Sequence, residues 1–271
     1  MPTLQILFDF TSLFIGFIFG SFVNVIVHRL PKNISIIKPR SFCPECNKII
    51  PWYENIPIFS WIFLRGKCSE CNLSIPVRYP LIETFTGILF WGSYKFILHN
   101  IGIENYLFNL LGSWGFILIL FSLSIIDYYY LWIPNSLIKV GIIFGFFISI
   151  FSSITNNQNL FLNIFESLIS SILGFLIILL IIKFGELIFK KPSMGLGDAK
   201  LAGMIGFWIG FPGVIITIWL SFIISGLFVI LGLASKRIKK GQLIPFGPFL
   251  SLTGFLIWLY GEDIFLKIIF Q

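Results

Sequence analysis

Apolar residues dominate eight stretches of the chain, at about 6–27, 80–98, 106–126, 133–152, 164–188, 199–210, 213–234 and 246–268. Runs of roughly 18 or more such residues match the length a helix needs to cross the hydrocarbon core of a bilayer. The pattern therefore predicts an all-α polytopic membrane protein with about eight transmembrane helices, the sixth the shortest. The first run lacks a basic leading segment and a small-x-small cleavage site, so it is expected to be a retained span and not a removable signal. A polar insertion of about 29–80 separates the first two spans. This organisation predicts one domain over 1–100, carrying the first two helices and the insertion, and a six-helix core over 105–271.

Composition and charge set the orientation. The 271 residues are 57% hydrophobic and only 11% charged, against about a quarter charged in soluble domains. Eight of the 19 Lys and Arg lie between Arg29 and Arg78, four between Lys183 and Lys200, and four between Lys236 and Lys240. Eight crossings put all three basic segments on one side, which the positive-inside rule makes the cytoplasm. Seven crossings put the last of them on the wrong side. Both termini are then expected outside. The net charge of +7 reports topology and contact with anionic membrane lipids. Nucleic acid is not expected as a partner, because no basic soluble surface interleaved with aromatics is present to hold it.

All four cysteines fall in the insertion, as two C-x-x-C pairs, Cys43/Cys46 and Cys68/Cys71. The surrounding residues repeat: "CPECNKIIP" and "CSECNLSIP" share Cys, Glu, Cys, Asn, Ile and Pro at matching positions. Two such knuckles supply the four converging thiolates that a tetrahedral structural Zn²⁺ requires. Disulfides and unrelated thiols are the alternatives, disfavoured by a cytosolic location and by the repeat. Four thiolates leave no open coordination position, so the ion is expected to staple the loop and do no chemistry.

Two acids stand at membrane boundaries. Asp127 closes the third span in "LSIIDYYYLWIPN", and Asp198 opens the sixth in "MGLGDAKL". Two spans separate them, so both face the same side. Placing a carboxylate there is costly and points to function. If the two meet, they share a proton and can hold a water. One carboxylate takes the water's proton while the other, protonated, polarises a peptide carbonyl. Gly195 and Gly197 are expected to permit close backbone approach and positive φ, and with Lys200 they form the supporting loop. The plainer alternatives are that Asp198 is a helix N-cap and that Asp127 is an interfacial acid in an aromatic belt. Elsewhere, Glu186 is expected to pair with Lys183, and Glu83 to contact Arg78 or the cysteine loop. His28 and His99 read as interfacial residues. No G-x-S-x-G, H-E-x-x-H or Walker sequence is present.

Taken together, "GSFVNVIVHRLP", the paired cysteine loop with "NIPIFSWIFLRGKC", "RYPLIE", "DYYYLWIPN", "MGLGDAKL" and "IPFGPFLS" resemble, in order, the bacterial type IV prepilin peptidases. These are the leader peptidase/N-methyltransferases, membrane aspartyl proteases of the G-x-G-D kind. The resemblance covers nearly the whole chain. It implies an eight-span fold, catalytic aspartates at Asp127 and Asp198, and prepilin or pseudopilin substrates cleaved after a Gly on the cytoplasmic side of the inner membrane. It also implies methylation of the new N-terminus with S-adenosylmethionine, for which no residue pattern here reads independently as a site. Asn135 stands where the family often has Asp, and His28 where Tyr is commoner. The rival readings are a preflagellin-type or presenilin-like G-x-G-D protease, which leaves the cysteine loop unaccounted for, an ion-coupled transporter using the two acids, and an assembly scaffold.

Overall fold

A computed structural model describes residues 2–100, 106–190, 194–239 and 241–270. Part of the expected domain junction (101–105), and Lys191 and Lys240 of the basic segments, lie outside the described residues. Among the described residues the regular structure is helical, with two isolated β-bridges and no strand. The chain divides into two compact units, residues 1–102 and 103–271.

In the first unit α1 (Pro2–Arg29) packs along α3 (Arg78–Asn100). Small residues allow the approach: a Cβ on Gly16 would meet Gly87 Cα at 2.5 Å, and one on Gly20 would meet Glu83 Cα at 2.6 Å. Between helices surrounded by lipid, such backbone contact replaces the hydrophobic drive available in water. Lys95 and Asp9, 2.7 Å apart, tie the same helices nearer the N-terminus. The intervening lobe, with the short α2 (Phe59–Phe63), is pinned at both ends. The buried Arg29 guanidinium donates to the Ser35 and Arg40 carbonyls at 3.0 and 3.3 Å. The buried Glu83 carboxylate accepts the Ile58 N–H at 2.7 Å, so Glu83 does contact the cysteine loop. Ile58 has φ 64°, strained for a β-branched residue, and Glu83 is one of the groups that hold it there.

The second unit comprises α4 (Tyr106–Tyr130), α5 (Asn135–Thr155), α6 (Leu160–Phe189), α7 (Leu196–Ala234), α8 (Gly247–Tyr260) and α9 (Glu262–Phe270). Its core lies where α7 packs on α6 and α8, and α8 on α4. The expected sixth and seventh spans form one assigned helix, α7, broken at Gly210 (φ 76°, ψ 179°) just before Pro212. At 1.5 Å per residue an unbroken helix would hold Ala202 and Val214 about 18 Å apart. Instead, a Cβ on Gly174 would lie 2.8 Å from Ala202 O and 2.9 Å from Val214 Cγ2. The chain therefore folds back on itself at the break, which glycine permits and proline reinforces by removing an N–H. The expected last span is also divided: Gly261 (φ 78°) ends α8 and α9 begins afresh. Among the described residues, five helices are long and apolar enough to cross a membrane: Gln5–Lys32, Tyr106–Tyr130, Asn135–Thr155, Leu160–Ile188 and Leu196–Ala234. The helix α3 carries Arg78, Glu83 and Lys95, and α8 has 14 residues, so neither joins that group. Lys183 and Glu186 pair at 3.2 Å, as their spacing predicts.

Candidate active site and metal centre

Asp127 sits three residues before the end of α4 and turns inward. It is 5% exposed, while Tyr128 to Trp132 after it are 43–65% exposed. The aromatic run is exposed, and Asp127 is not part of it. Its Oδ2 accepts the Gly247 N–H at 2.9 Å. Gly247 opens α8 and precedes a proline in the first turn, so an otherwise unpaired helix N-terminal amide is aimed at a carboxylate. The position excludes a side chain: a Cβ on Gly247 would stand 2.8 Å from Asp127 Oδ2 and 3.1 Å from Cγ.

Asp198 is the third residue of α7, and the N-cap is Gly195, with no side-chain capping bond. The capping interpretation of Asp198 is thus overturned. Its side chain is freed from the helix end and buried, at 8% exposure, and Oδ1 has no hydrogen-bond partner in the protein. The expected positive φ is also absent. Gly195 is extended (φ −80°, ψ 144°), and Gly197 is not among the positive-φ residues. The value of Gly197 lies in close approach alone, since a Cβ there would meet Ile133 Cβ at 2.9 Å. Lys200 points to another partner, donating to Asn135 Oδ1 at 2.8 Å. Among the described residues no ion pair joins either aspartate to a cation.

Helix register brings the acids together. Gly254 of α8 packs on Ile205 of α7, where a Cβ would meet Cγ2 at 2.9 Å. Each lies seven residues beyond Gly247 and Asp198 respectively, so those two residues share one level. Asp127 touches Gly247, so it stands at that level as well. Two buried carboxylates at one level, one anchored by an amide and one with a free oxygen, form an arrangement able to hold a water and move its protons. The contribution of Gly247 was not foreseen from the sequence. Its signal was the Gly-Pro helix start in "IPFGPFLS", where a glycine and its free N–H open a helix.

The first unit holds a separate centre. The four sulfurs of Cys43, Cys46, Cys68 and Cys71 lie within 4.8 Å of one another. The Cys43–Cys71 and Cys46–Cys68 separations are 3.7 and 4.0 Å. A tetrahedron with metal–sulfur bonds of about 2.3 Å has edges of about 3.8 Å, so the thiols fit Zn²⁺. All four are free of disulfides. The sequence repeat is a structural one. In each knuckle the first Cys donates its N–H five residues on, Cys43 to Lys48 O and Cys68 to Leu73 O, both at 2.9 Å. Asn47 and Asn72 share φ 57°. Lys48 binds Glu54 and Ser69, at 3.4 and 2.8 Å, linking the two halves. Amides of Cys46 and Glu45 lower the pKa of Cys43, and amides of Cys71 and Glu70 bring that of Cys68 down to about 7, while burial and the neighbouring thiols raise Cys46 and push Cys71 up to about 12. The first thiol of each knuckle is thus the one its amides favour as a thiolate, and crowding of four sulfurs without a cation opposes ionising the second.

Residues 14–96 match the family described as the bacterial peptidase A24 N-terminal domain, and residues 114–230 match the type IV leader peptidase family. A protein of Stutzerimonas stutzeri named prepilin leader peptidase/N-methyltransferase is 31% identical over 95% of this chain and 92% of its own length. A protein of the same name from Pseudomonas aeruginosa is also 31% identical with the same coverage. One from Neisseria gonorrhoeae is 29% identical over 92% of this chain and 90% of its own. No solved structure matches the chain. On this identity and coverage, the chain belongs to the type IV leader peptidase family.

Proposed function

We propose that this protein cleaves the basic leader from type IV prepilins or pseudopilins, with Asp127 and Asp198 as the acid–base pair, and that it methylates the new N-terminus. The observation that carries the peptidase mechanism is the shared level of the two buried carboxylates, one held by the Gly247 amide. The ionised member takes a proton from water as its oxygen adds to the carbonyl carbon. The protonated member gives its proton to the carbonyl oxygen. Collapse of the tetrahedral intermediate breaks the C–N bond, and the leaving amine recovers a proton from the pair. Neither a nucleophilic side chain nor a metal is needed at this centre. Gly197 lets the loop pack close on Ile133, Gly195 caps the helix without needing its missing side chain, and Lys200 braces the loop through Asn135.

The fold-back at Gly210 supports counting 196–209 and 211–234 as two crossings. With α1, α3, α4, α5, α6 and the C-terminal pair α8 and α9, the total is eight. The basic segments then face the cytoplasm, in a bacterial inner membrane. A prepilin presents a basic leader followed by an apolar helix, so its scissile bond arrives at the boundary where the aspartates stand. The four cysteines would hold a structural zinc that folds the lobe of the 1–100 domain, while 105–271 carries the six-helix peptidase core. The methyl transfer rests on the relatives' shared name and implies S-adenosylmethionine as donor. No residue of this chain is assigned to it.

The test is cleavage of a synthetic prepilin peptide by purified protein and by Asp127→Asn and Asp198→Asn. Cleavage by the wild type alone is expected. Retained cleavage in either variant overturns the assignment, and an intact peptide with ion movement in liposomes would favour transport.

A further inference from the structure

The short helix α2 of the cysteine lobe has two unlike sides. At about 100° per residue, Ser60 and Trp61 share one side, while Phe59, Ile62 and Phe63 fall within an arc of about 100° opposite them. The inner side is held by the lobe. The buried Ser60 hydroxyl donates to the Tyr53 carbonyl at 2.9 Å and accepts the Ile56 N–H at 3.0 Å. Trp61 Nε1 donates to the Ile75 carbonyl at 3.0 Å, and its ring covers Gly66, where a Cβ would stand 2.8 Å from it. The outer side is bare: Phe59, Ile62 and Phe63 are 47, 59 and 82% exposed. Trp52 and Tyr53, also exposed, adjoin α2 through the Ser60 bond. Arg65 and Lys67, both exposed, follow it directly.

The lobe's attachment fixes the depth of this helix. Ile58, the N-cap of α2, gives its N–H to Glu83. Glu83 lies five residues inside α3, about 8 Å from its start. Its partner on α1 is Gly20, nine residues before the end of that helix and so about 14 Å in. A helical side chain leans toward its own N-terminus, so the carboxylate meets Ile58 about one turn inside α3. Asn24 of α1 donates to the Tyr79 carbonyl at 3.1 Å, which puts Phe22 level with Leu81. At this level the outward side chains of the two helices are apolar and exposed: Phe22 on α1, and Leu81 and Phe85 on α3. The start of α2 thus stands at the depth where α1 and α3 already present an apolar surface to lipid.

We propose that α2 is an interfacial helix whose Phe59, Ile62 and Phe63 side chains enter the adjacent lipid leaflet, with Arg65 and Lys67 beside the phosphate headgroups. The proposal goes beyond the peptidase reading and depends only on α1 and α3 lying in the bilayer. Interfacial helices bury their apolar face about 5–10 Å into the boundary between headgroups and acyl chains, flanked by cations and aromatic residues. The depth set by Glu83 and the continuity with Phe22, Leu81 and Phe85 favour lipid over a protein partner. The metal lobe is then seated on the membrane by its middle as well as by its two ends.

Two measurements on the full chain, in nanodiscs of phosphatidylethanolamine and phosphatidylglycerol without substrate, test this. In the first, a photoreactive benzophenone side chain replaces Phe63, Leu81 on the outer face of α3, or Glu70, an exposed acid of the second knuckle. After illumination, mass spectrometry should find lipid adducts at positions 63 and 81 in similar yield, and several-fold fewer at 70. No lipid adduct at 63, or an adduct there with a second copy of the chain, overturns the proposal. So does a synthetic prepilin that replaces lipid as the adduct at 63, which would make this face a substrate site. In the second, Ile62→Glu with Phe63→Glu puts two carboxylates where lipid is expected. Trypsin cleavage after Arg65 should rise several-fold, with the four thiols no more reactive than in the wild type. Unchanged cleavage overturns the proposal. Neither measurement needs catalysis, so this inference and the aspartyl assignment fail separately.

Discussion

Gly247→Ala is the sharpest perturbation of the proposed site, because it adds one methyl group without touching an ionisable residue. The new Cβ would stand 2.8 Å from Asp127 Oδ2, where ordinary contact begins at 3.4 Å, so the carboxylate must retreat by about 0.6 Å. The backbone on both sides is helical and buried, so the side chain has to move instead. Retreat weakens the 2.9 Å bond from the Gly247 amide. A hydrogen bond to a charged buried group is worth about 1.5–3 kcal/mol. If the bond strengthens the reacting arrangement by that amount, its loss slows the chemistry about 10- to 100-fold, at about 1.4 kcal/mol per factor of ten. A misplacement of about 1 Å alone can cost on the order of 100-fold. The assay is leader cleavage of a prepilin peptide under kcat/KM conditions, with the thermal midpoint measured in the same detergent. Gly226→Ala serves as the control. A Cβ there meets nothing within 4 Å, and the change should leave cleavage intact while stabilising the helix by up to about 1 kcal/mol. A Gly247→Ala enzyme that cleaves at the wild-type rate, properly folded, would refute the claim that this amide sets the Asp127 carboxylate.

Other expectations concern both units. If the four cysteines hold the proposed zinc, its chelation should make all four reactive to a thiol reagent and open residues 30–77 to protease, while helix content by circular dichroism stays nearly constant; purified protein without zinc, or unreactive thiols after chelation, contradicts the structural-ion assignment. Gly16→Ile forces a branched side chain against the Gly87 backbone, so overpacking should cost about 1–3 kcal/mol, seen as a lowered thermal midpoint. Asn135→Asp converts the Lys200 hydrogen bond into an exposed ion pair. Such pairs contribute little, so cleavage and thermal midpoint should both stay close to wild type.

Much of the fold was legible in the pattern of apolar runs, because a segment in lipid must satisfy its backbone internally and helix is the local way to do so. The cysteine centre was legible for a related reason. The ligands come in short knuckles whose geometry is set by a few neighbouring residues, and the repeated Asn and Pro around them signalled two copies of one turn. The two readings of Asp198, functional acid or helix cap, were not separable in the sequence; in the structure Gly195 takes the cap position and leaves the carboxylate free. The choice between cap and site depends on how the loop enters the helix, which a glycine-rich stretch leaves open.

What the sequence determined alone was an all-helical membrane protein with a four-thiol lobe. The apolar runs carry that much, because each helix is specified within its own segment. Only the tertiary structure decided that Asp127 is held by an amide 120 residues away and that α7 turns back at Gly210. It alone brought Gly254 against Ile205, which sets Asp198 level with Gly247. Such contacts depend on how helices slide and rotate against one another. Glycines that admit close approach set that register, and the favourable energy comes from packing shared between segments distant in the chain.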